Sequence, residues 1–325
     1  MSKIYEALRQ AELDRAKTGS TQSENGSSLP LRSVLEVEQT GGFSDGSRPA
    51  SSFAMSGRGL SPLVAANGTS SVVANALDLT KVNVVRWSPS MAQLPALEQR
   101  GSAVEQFRSL RSRMQEFRDL NTLKTLMVSS GLPQEGKSFV AANLAISFAR
   151  HKAGRVLLID GDMRRATIHK LLGAPQGPGL TEYLSGTASL LDVMQRANVD
   201  DPDHPLPSGL ASLTFIPAGT EHDKAADLSG NHRFGQLIKE VSPSFDWIVV
   251  DSSPVNLVSD GVNLARACDA VLLVARGGVT KYEVAQRAIA ELKASKVLGL
   301  VLNAVKNPPV SGGYYGYDGY DKIEE

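Results

Sequence analysis

The sequence predicts an α/β domain of three layers, a doubly wound and mainly parallel sheet with helices on both faces. Three observations predict it. Short apolar runs alternate with helix-like segments, as "TLMVSS", "RVLLID", "LTFIPAG", "DWIVVDS", "AVLLVARGG" and "VLGLVLNAV". Runs such as Val156 to Ile159 and Ile248 to Val250 are apolar without alternation, as strands covered on both faces must be. One run passes through a glycine-bearing loop straight into an apolar-striped helix with Val140, Leu144, Ala145 and Phe148 on one face.

Taken in order, residues 1–17 read as a short amphipathic helix with Ile4, Ala7, Leu8 and Ala11 on one stripe, marginal alone in water. Residues 18–95 turn to Ser, Gly, Asn and Pro without periodicity and read as a disordered linker. Residues 96–308 read as the folded domain. It opens with "SAVEQFRSLRSRMQEFRDL", where Val104, Phe107, Leu110, Met114 and Phe117 recur at helical spacing. Residues 309–325 read as a flexible tail, because Gly312, Gly313, Gly316 and Gly319 break any strand or helix around Tyr314, Tyr315, Tyr317 and Tyr320.

Composition narrows the class. The 325 residues carry 34 basic and 34 acidic side chains, so bulk charge points to no nucleic-acid partner. The one cysteine, Cys268, sits in the apolar run "ARACDAVLLVA" and reads as a small buried hydrophobe, with no disulfide framework to suggest an oxidising compartment. No apolar run approaches the ~18–20 residues that span a bilayer, so the expected location is the cytoplasm, with membrane contact through a partner.

The chemistry is written at the ends of the apolar runs. Gly131, four intervening residues and then Gly136, Lys137 and Ser138 match the phosphate-loop pattern G-x-x-x-x-G-K-[ST]. Glycines let backbone N–H groups approach phosphates, the helix N-terminus favours negative charge, Lys137 neutralises β/γ oxygens and the Ser138 hydroxyl can ligate Mg²⁺. "VLLIDGDMRR" delivers Asp160 and Asp162 to the carboxyl edge of the sheet, with Arg164 behind them, and "WIVVDS" delivers Asp251. Carboxylates beside bare phosphate imply Mg²⁺ between them, hence a metal and nucleotide site. The helical spacing of Glu105, Arg108 and Arg111 puts an acid and two bases on one face, a solvated ion pair or a subunit contact.

The combination of "GLPQEGKS", "LLIDGDMR", "IVVDS" and a tyrosine tail resembles the bacterial tyrosine kinases that regulate exopolysaccharide export, over about residues 95–325. "SSPVNLVSDGVNLARACDAVLLVARGG" and "MSKIYEALRQAE" are similar to segments of that family as well. The resemblance implies an ATP- and Mg²⁺-dependent tyrosine autokinase on a phosphate-loop core shared with partitioning ATPases. Those ATPases carry a second lysine where this chain has Leu132, which favours the kinase over a switch ATPase that phosphorylates no protein. It further implies nucleotide contacts at Gly131, Gln134, Glu135, Gly136, Lys137, Ser138, Phe139, Arg164 and Asn303, although Asn303 reads equally as a cap and Arg164 as a brace for the aspartates. Metal contacts fall to Ser138, Asp162 and Asp251. Asp160 is the implied base, and the residues alone leave Asp160 and Asp162 interchangeable. Glu105, Arg108 and Arg111 match the family's Glu-x-x-Arg-x-x-Arg pattern for ring assembly. The implied partners are further copies of the chain, which offer Tyr314, Tyr315, Tyr317 and Tyr320 in trans, and a separate membrane polysaccharide co-polymerase.

Overall fold

The computed structural model describes residues 76–151, 154–202 and 205–305, together with the backbone of 32–34. The helix expected over 1–17 and the tail over 309–325 lie outside the described residues. Each of the six apolar runs forms a strand: β3 (Thr125–Ser130), β4 (Val156–Gly161), β6 (Leu213–Ile216), β7 (Trp247–Ser252), β8 (Ala270–Arg276) and β9 (Val297–Asn303). Shorter strands β1 (Arg32–Val34), β2 (Asn83–Val85) and β5 (Gln195–Ala197) complete a nine-stranded sheet in the order β1-β9-β8-β3-β7-β4-β6-β5-β2. From β9 to β6 all neighbours are parallel, whereas β5 runs antiparallel to β6 and β1 antiparallel to β9. The expected three-layer fold is present.

Helices cover both faces. The amphipathic stretch forms α1 (Ser102–Leu120), burying Val104, Phe107, Leu110 and Met114 as its spacing demands. It packs on α2 (Lys137–Ala149), which is buried along nearly its whole length and joins β3 to β4. Short helices follow: α3 (Ile168–Leu172), α4 (Leu180–Ser185), α5 (Leu190–Val193) and α6 (Ala225–Ser229). Beyond them lie α7 (Arg233–Val241), α8 (Asp260–Ala265) and α9 (Tyr282–Glu291). Two apolar clusters result, one on each side of the sheet; Leu126 and Leu158 belong to the first, Met127 and Leu157 to the second.

The folded body begins well before position 96, which corrects the linker boundary. Residues 77–97 form a strap that wraps the β2 edge of the sheet, with Val82 in the second apolar cluster and Trp87, Leu94 and Leu97 in the first. Trp87 is 1% exposed, sets its ring edge against Phe215 at 6.2 Å and donates from Nε1 to Gln195 Oε1 at 3.2 Å. Strand β2 adds to β5, and the Ser88 and Ser90 amides donate to the carbonyls of Gly173 and Leu171. Asn143 of α2 closes the strap's far end, accepting from the Ala96 amide at 3.0 Å and donating to the Gln93 carbonyl at 3.1 Å. Polar composition hides this strap from a reading by periodicity, since a few anchors such as Trp87, Leu94 and Leu97 supply its burial.

The strap predicts its own energetics. Trp87→Ala lowers the unfolding free energy by about 3–5 kcal/mol in urea titrations, the range for deleting a buried aromatic. A loss below about 1 kcal/mol, typical of surface changes, contradicts a docked strap.

Candidate active site

The topology brings three strand ends together. β3 lies between β8 and β7, and β7 lies between β3 and β4, so the loop after β3 opens beside the carboxyl ends of β4 and β7. Register then places Asp160 of β4 directly opposite Asp251 of β7. This is the crevice where ligands of doubly wound sheets bind.

The phosphate loop spans the mouth of that crevice. Gly136, at φ 96°, takes a left-handed turn, and a Cβ there would strain the backbone and displace the Asn303 amide from beneath the loop. Gln134, exposed, also adopts positive φ (63°), a strained conformation for a non-glycine residue. Glu135 turns inward and is buried, accepting from the Leu132 amide at 2.8 Å and from the Thr280 hydroxyl. Burial raises its pKa, and those two bonds pull it back down. Asn303 donates to the Glu135 carbonyl at 3.0 Å and accepts from the Ala304 amide at 2.9 Å. It therefore clasps the loop from beneath and caps the end of β9 rather than reaching out to a base. Phe139 turns away from the crevice onto Phe107, ring centres 5.8 Å apart, so its side chain packs and only its backbone stays at the helix N-terminus.

The charged groups form one buried cluster. Lys137 Nζ lies 2.8 Å from Asp162 Oδ2, 3.9 Å from Asp251 Oδ2 and 3.2 Å from Ser138 Oγ. Burial alone would depress the ammonium, yet Asp251 and Asp162 hold its pKa above the usual lysine value. Asp162 also accepts from the Arg165 amide at 3.1 Å and the Ser253 hydroxyl at 3.2 Å. Asp160 differs from an open base. It is fully buried, and its oxygens accept from the backbone amides of Asp162 (3.2 Å), Thr167 and Ile168 (both 3.1 Å), which closes the first turn of α3. Burial first, and then the Asp251 charge beside it, raise the Asp160 pKa.

Asp251 is fully buried, and neither of its carboxylate oxygens meets a hydrogen-bond partner. Burial raises its pKa to about 6, with the Lys137 ammonium and the nearby Ser138 hydroxyl opposing. A dry carboxylate with two unused oxygens fits a hard cation that prefers oxygen ligands, as Mg²⁺ does, and Ser138 and Asp162 stand close enough to share it. Arg164 is drawn elsewhere: its Nε lies 2.5 Å from Asp260 Oδ2, and Ser229 donates to Asp260 Oδ1 at 3.3 Å. Arg164 thus ties the aspartate loop to the start of α8 through Asp260, a partner that neither reading of the sequence named. The sequence pattern assigns no role to Thr280, Ser253, Asp260 or Asn256, yet Thr280 holds Glu135, Ser253 holds Asp162, Asp260 holds Arg164 from the start of α8, and Asn256 donates to the Val284 carbonyl at 2.9 Å.

Glu105, Arg108 and Arg111 lie on α1, away from the crevice. Arg108 pairs with Glu105 and donates to the Gln99 carbonyl at 3.1 Å, and Arg111 donates to the Ser147 carbonyl at 3.1 Å.

Such a loop, opening a helix at the carboxyl edge of a parallel sheet with a lysine and carboxylates around it, defines a phosphate-loop nucleotide-binding fold. Comparisons with known proteins narrow the class. The chain is 33% identical over 224 residues to tyrosine-protein kinase CpsD of Streptococcus agalactiae, covering 68% of this chain and 91% of that protein. It is 32% identical over 216 residues to tyrosine-protein kinase YwqD of Bacillus subtilis, covering 65% and 86%. Against tyrosine-protein kinase ptk of Acinetobacter johnsonii it is 27% identical over 237 residues but spans only 30% of that longer protein. Among solved structures, the kinase domain of Escherichia coli tyrosine kinase ETK superposes with a TM-score of 0.60 at 29% identity, over 70% of this chain and 85% of that one. No family model matches. The chain belongs to the bacterial tyrosine-protein kinases.

The buried charge cluster makes a measurable prediction. Asp251 holds its proton more tightly folded than unfolded, so its ionisation costs stability as pH rises from its unfolded pKa near 4 through about 6. Asp251→Asn removes that cost. The nucleotide-free variant gains about 1–3 kcal/mol on the wild type between about pH 4 and pH 7 in urea titrations. A difference that stays flat with pH contradicts the assignment.

Proposed function

We propose that the chain is an ATP- and Mg²⁺-dependent protein-tyrosine autokinase that phosphorylates its own C-terminal cluster, Tyr314, Tyr315, Tyr317 and Tyr320, in trans, and so regulates exopolysaccharide synthesis or export. The observation that carries the reading is the buried set of Lys137, Asp162 and Asp251 at the phosphate loop, in a chain that belongs to the tyrosine-protein kinases. Phosphoryl transfer asks chiefly for positioning and neutralisation of charge. The backbone amides from Gly131 to Ser138 cradle the β- and γ-phosphates, and Lys137 leaves its aspartate partners to reach their oxygens. Ser138, Asp162 and Asp251 would hold the metal, which when bound neutralises charge on the transferred group.

The acceptor hydroxyl, with a pKa near 10, must lose its proton as its oxygen bonds to phosphorus and the bond to ADP breaks. That proton goes to the Asp160 and Asp162 pair. Burial and the Asp251 charge raise the proton affinity of Asp160, while Asp162 is already engaged with Lys137. Asn303, Glu135 and Thr280 hold the loop that positions the γ-phosphate. A glycine-rich tail keeps the phenols at high local concentration around a neighbouring site. Glu105, Arg108 and Arg111 form the contact between copies in a ring. Among the described residues no helix is long and apolar enough to cross a membrane, and a separate membrane co-polymerase recruits the kinase to the inner face of the cell membrane.

The test separates donor from acceptor. Protein lacking residues 309–325 but otherwise wild type is mixed with full-length Lys137→Met, then given Mg²⁺ and ATP with and without the cytoplasmic tail of a candidate co-polymerase. Mass spectrometry finds phosphate on the tail tyrosines of the Lys137→Met chain, and none when that variant is incubated alone. Hydrolysis of ATP with every tyrosine bare under all conditions would overturn the kinase in favour of a switch ATPase.

A further inference from the structure

A second charged site lies at the opposite end of α2 from the phosphate loop. A cavity of about 250 Å³ opens between α1 and the last turn of α2, lined by Arg108, Arg111, Arg150 and His151, with Val104 and Phe107 also in its wall. Three guanidiniums converge there, and the carboxylate paired into the group is that of Glu105. Arg150 donates to the carbonyls of Ala96 and Glu98, so the strap that begins the fold holds it in place. Arg111 donates through Nη1 to the Ser147 carbonyl at 3.1 Å, but its buried Nε meets no hydrogen-bond partner. Burial, and then the neighbouring Arg108 and Arg150 charges, lower the Arg111 pKa, so its charged form is under-compensated as it stands. An orphaned donor amid surplus positive charge calls for an anion.

The chemistry of the anion follows from charge and shape. One carboxylate would leave the group positive, whereas a phosphate monoester brings about −1.5 to −2 charges and three acceptor oxygens that guanidinium forks grip in pairs. Clusters of arginine are a recurrent receptor for phosphorylated side chains. Val104 and Phe107 give part of the wall an apolar surface, and the chain itself carries four tyrosines in an acidic tail with Asp318, Asp321, Glu324 and Glu325. Distance permits the match. The described chain ends at Val305 beside the phosphate loop, where Asn303 touches Glu135, and the 13 residues of α2 separate that point from the cavity by about 20 Å. Nine residues from Val305 to Tyr314 can extend to about 30 Å.

We propose that the cavity of Arg108, Arg111 and Arg150 is a phosphotyrosine site, filled by a phosphorylated tyrosine of the C-terminal cluster. This rests on the autokinase reading for the source of the phosphotyrosine. Product docked on α1 then occupies the face through which copies meet, so phosphorylation displaces the neighbour by competition at one site.

The test uses the full chain with ADP and Mg²⁺ and a synthetic peptide of residues 309–325, either unmodified or phosphorylated at Tyr315 and Tyr317. By fluorescence anisotropy the phosphopeptide binds at least about tenfold more tightly than the unmodified peptide, and Arg108→Gln with Arg111→Gln removes about that factor. Deuterium exchange on the wild type needs no variant to fold. It finds new protection on residues 102–113 and 147–151. Equal affinity for the two peptides, protection confined to the phosphate loop, or full displacement by inorganic phosphate at the peptide's own concentration would overturn the site. Because the phosphate is made synthetically, the outcome does not depend on kinase activity: binding here by a chain that never phosphorylates its tail supports the site and refutes the autokinase.

Discussion

Three carboxylates, Asp160, Asp162 and Asp251, share a buried crevice with one ammonium, that of Lys137. Much of the surrounding structure follows from that imbalance. Ionised carboxylates are expensive away from water unless paired or hydrogen-bonded, and each of the three solves the problem differently. Asp160 gathers backbone amides and anchors α3, and Asp162 takes the lysine. Asp251 is left with raised proton affinity and two idle oxygens. A divalent cation held at the Asp251 oxygens would offset this surplus of carboxylates and would leave Lys137 free to follow the phosphates of a nucleotide.

The frame that imposes this imbalance is stiff. Adjacent parallel strands hold Asp160 and Asp251 opposite each other by register, and both faces of the sheet are covered. The loop above them is pinned by Asn303 from β9 and by Thr280 from the loop after β8. The strap over 77–97 matters to the same frame, since Asn143 ties it to the helix that the phosphate loop opens. A site built on strand ends and a helix N-terminus keeps its geometry while its ligands change.

Legibility in the sequence followed the strength of the local pattern. Buried parallel strands leave unbroken apolar runs, so β3, β4 and β6 to β9 stood out, and the phosphate loop announced itself through Gly131, Gly136, Lys137 and Ser138. Strands β2 and β5, three residues each and half polar, carry no such signal, and the strap's burial depends on scattered anchors such as Trp87. Among site residues, the three aspartates were visible as strand ends, but their division of labour was not, because it is set by amides seven and eight residues along the chain. Asp260 and Thr280 act through tertiary contacts that no spacing encodes. Arg164 and Phe139 were visible as residues, yet their partners, Asp260 and Phe107, lie far away in the chain.

At the two ends of α2 the protein presents two ways of meeting an anion, one at the phosphate loop and one among the arginines of α1. The first depends on the charge deficit at Asp251, and that deficit is the claim on which the functional account stands. Its most direct measurement is the calorimetric affinity for ADP with and without Mg²⁺, in the wild type and in Asp251→Asn. The account predicts that Mg²⁺ tightens ADP binding at least about tenfold in the wild type and leaves it nearly unchanged in the variant. ADP binding that is indifferent to Mg²⁺ in the wild type, or equally dependent on it in both proteins, would contradict the account.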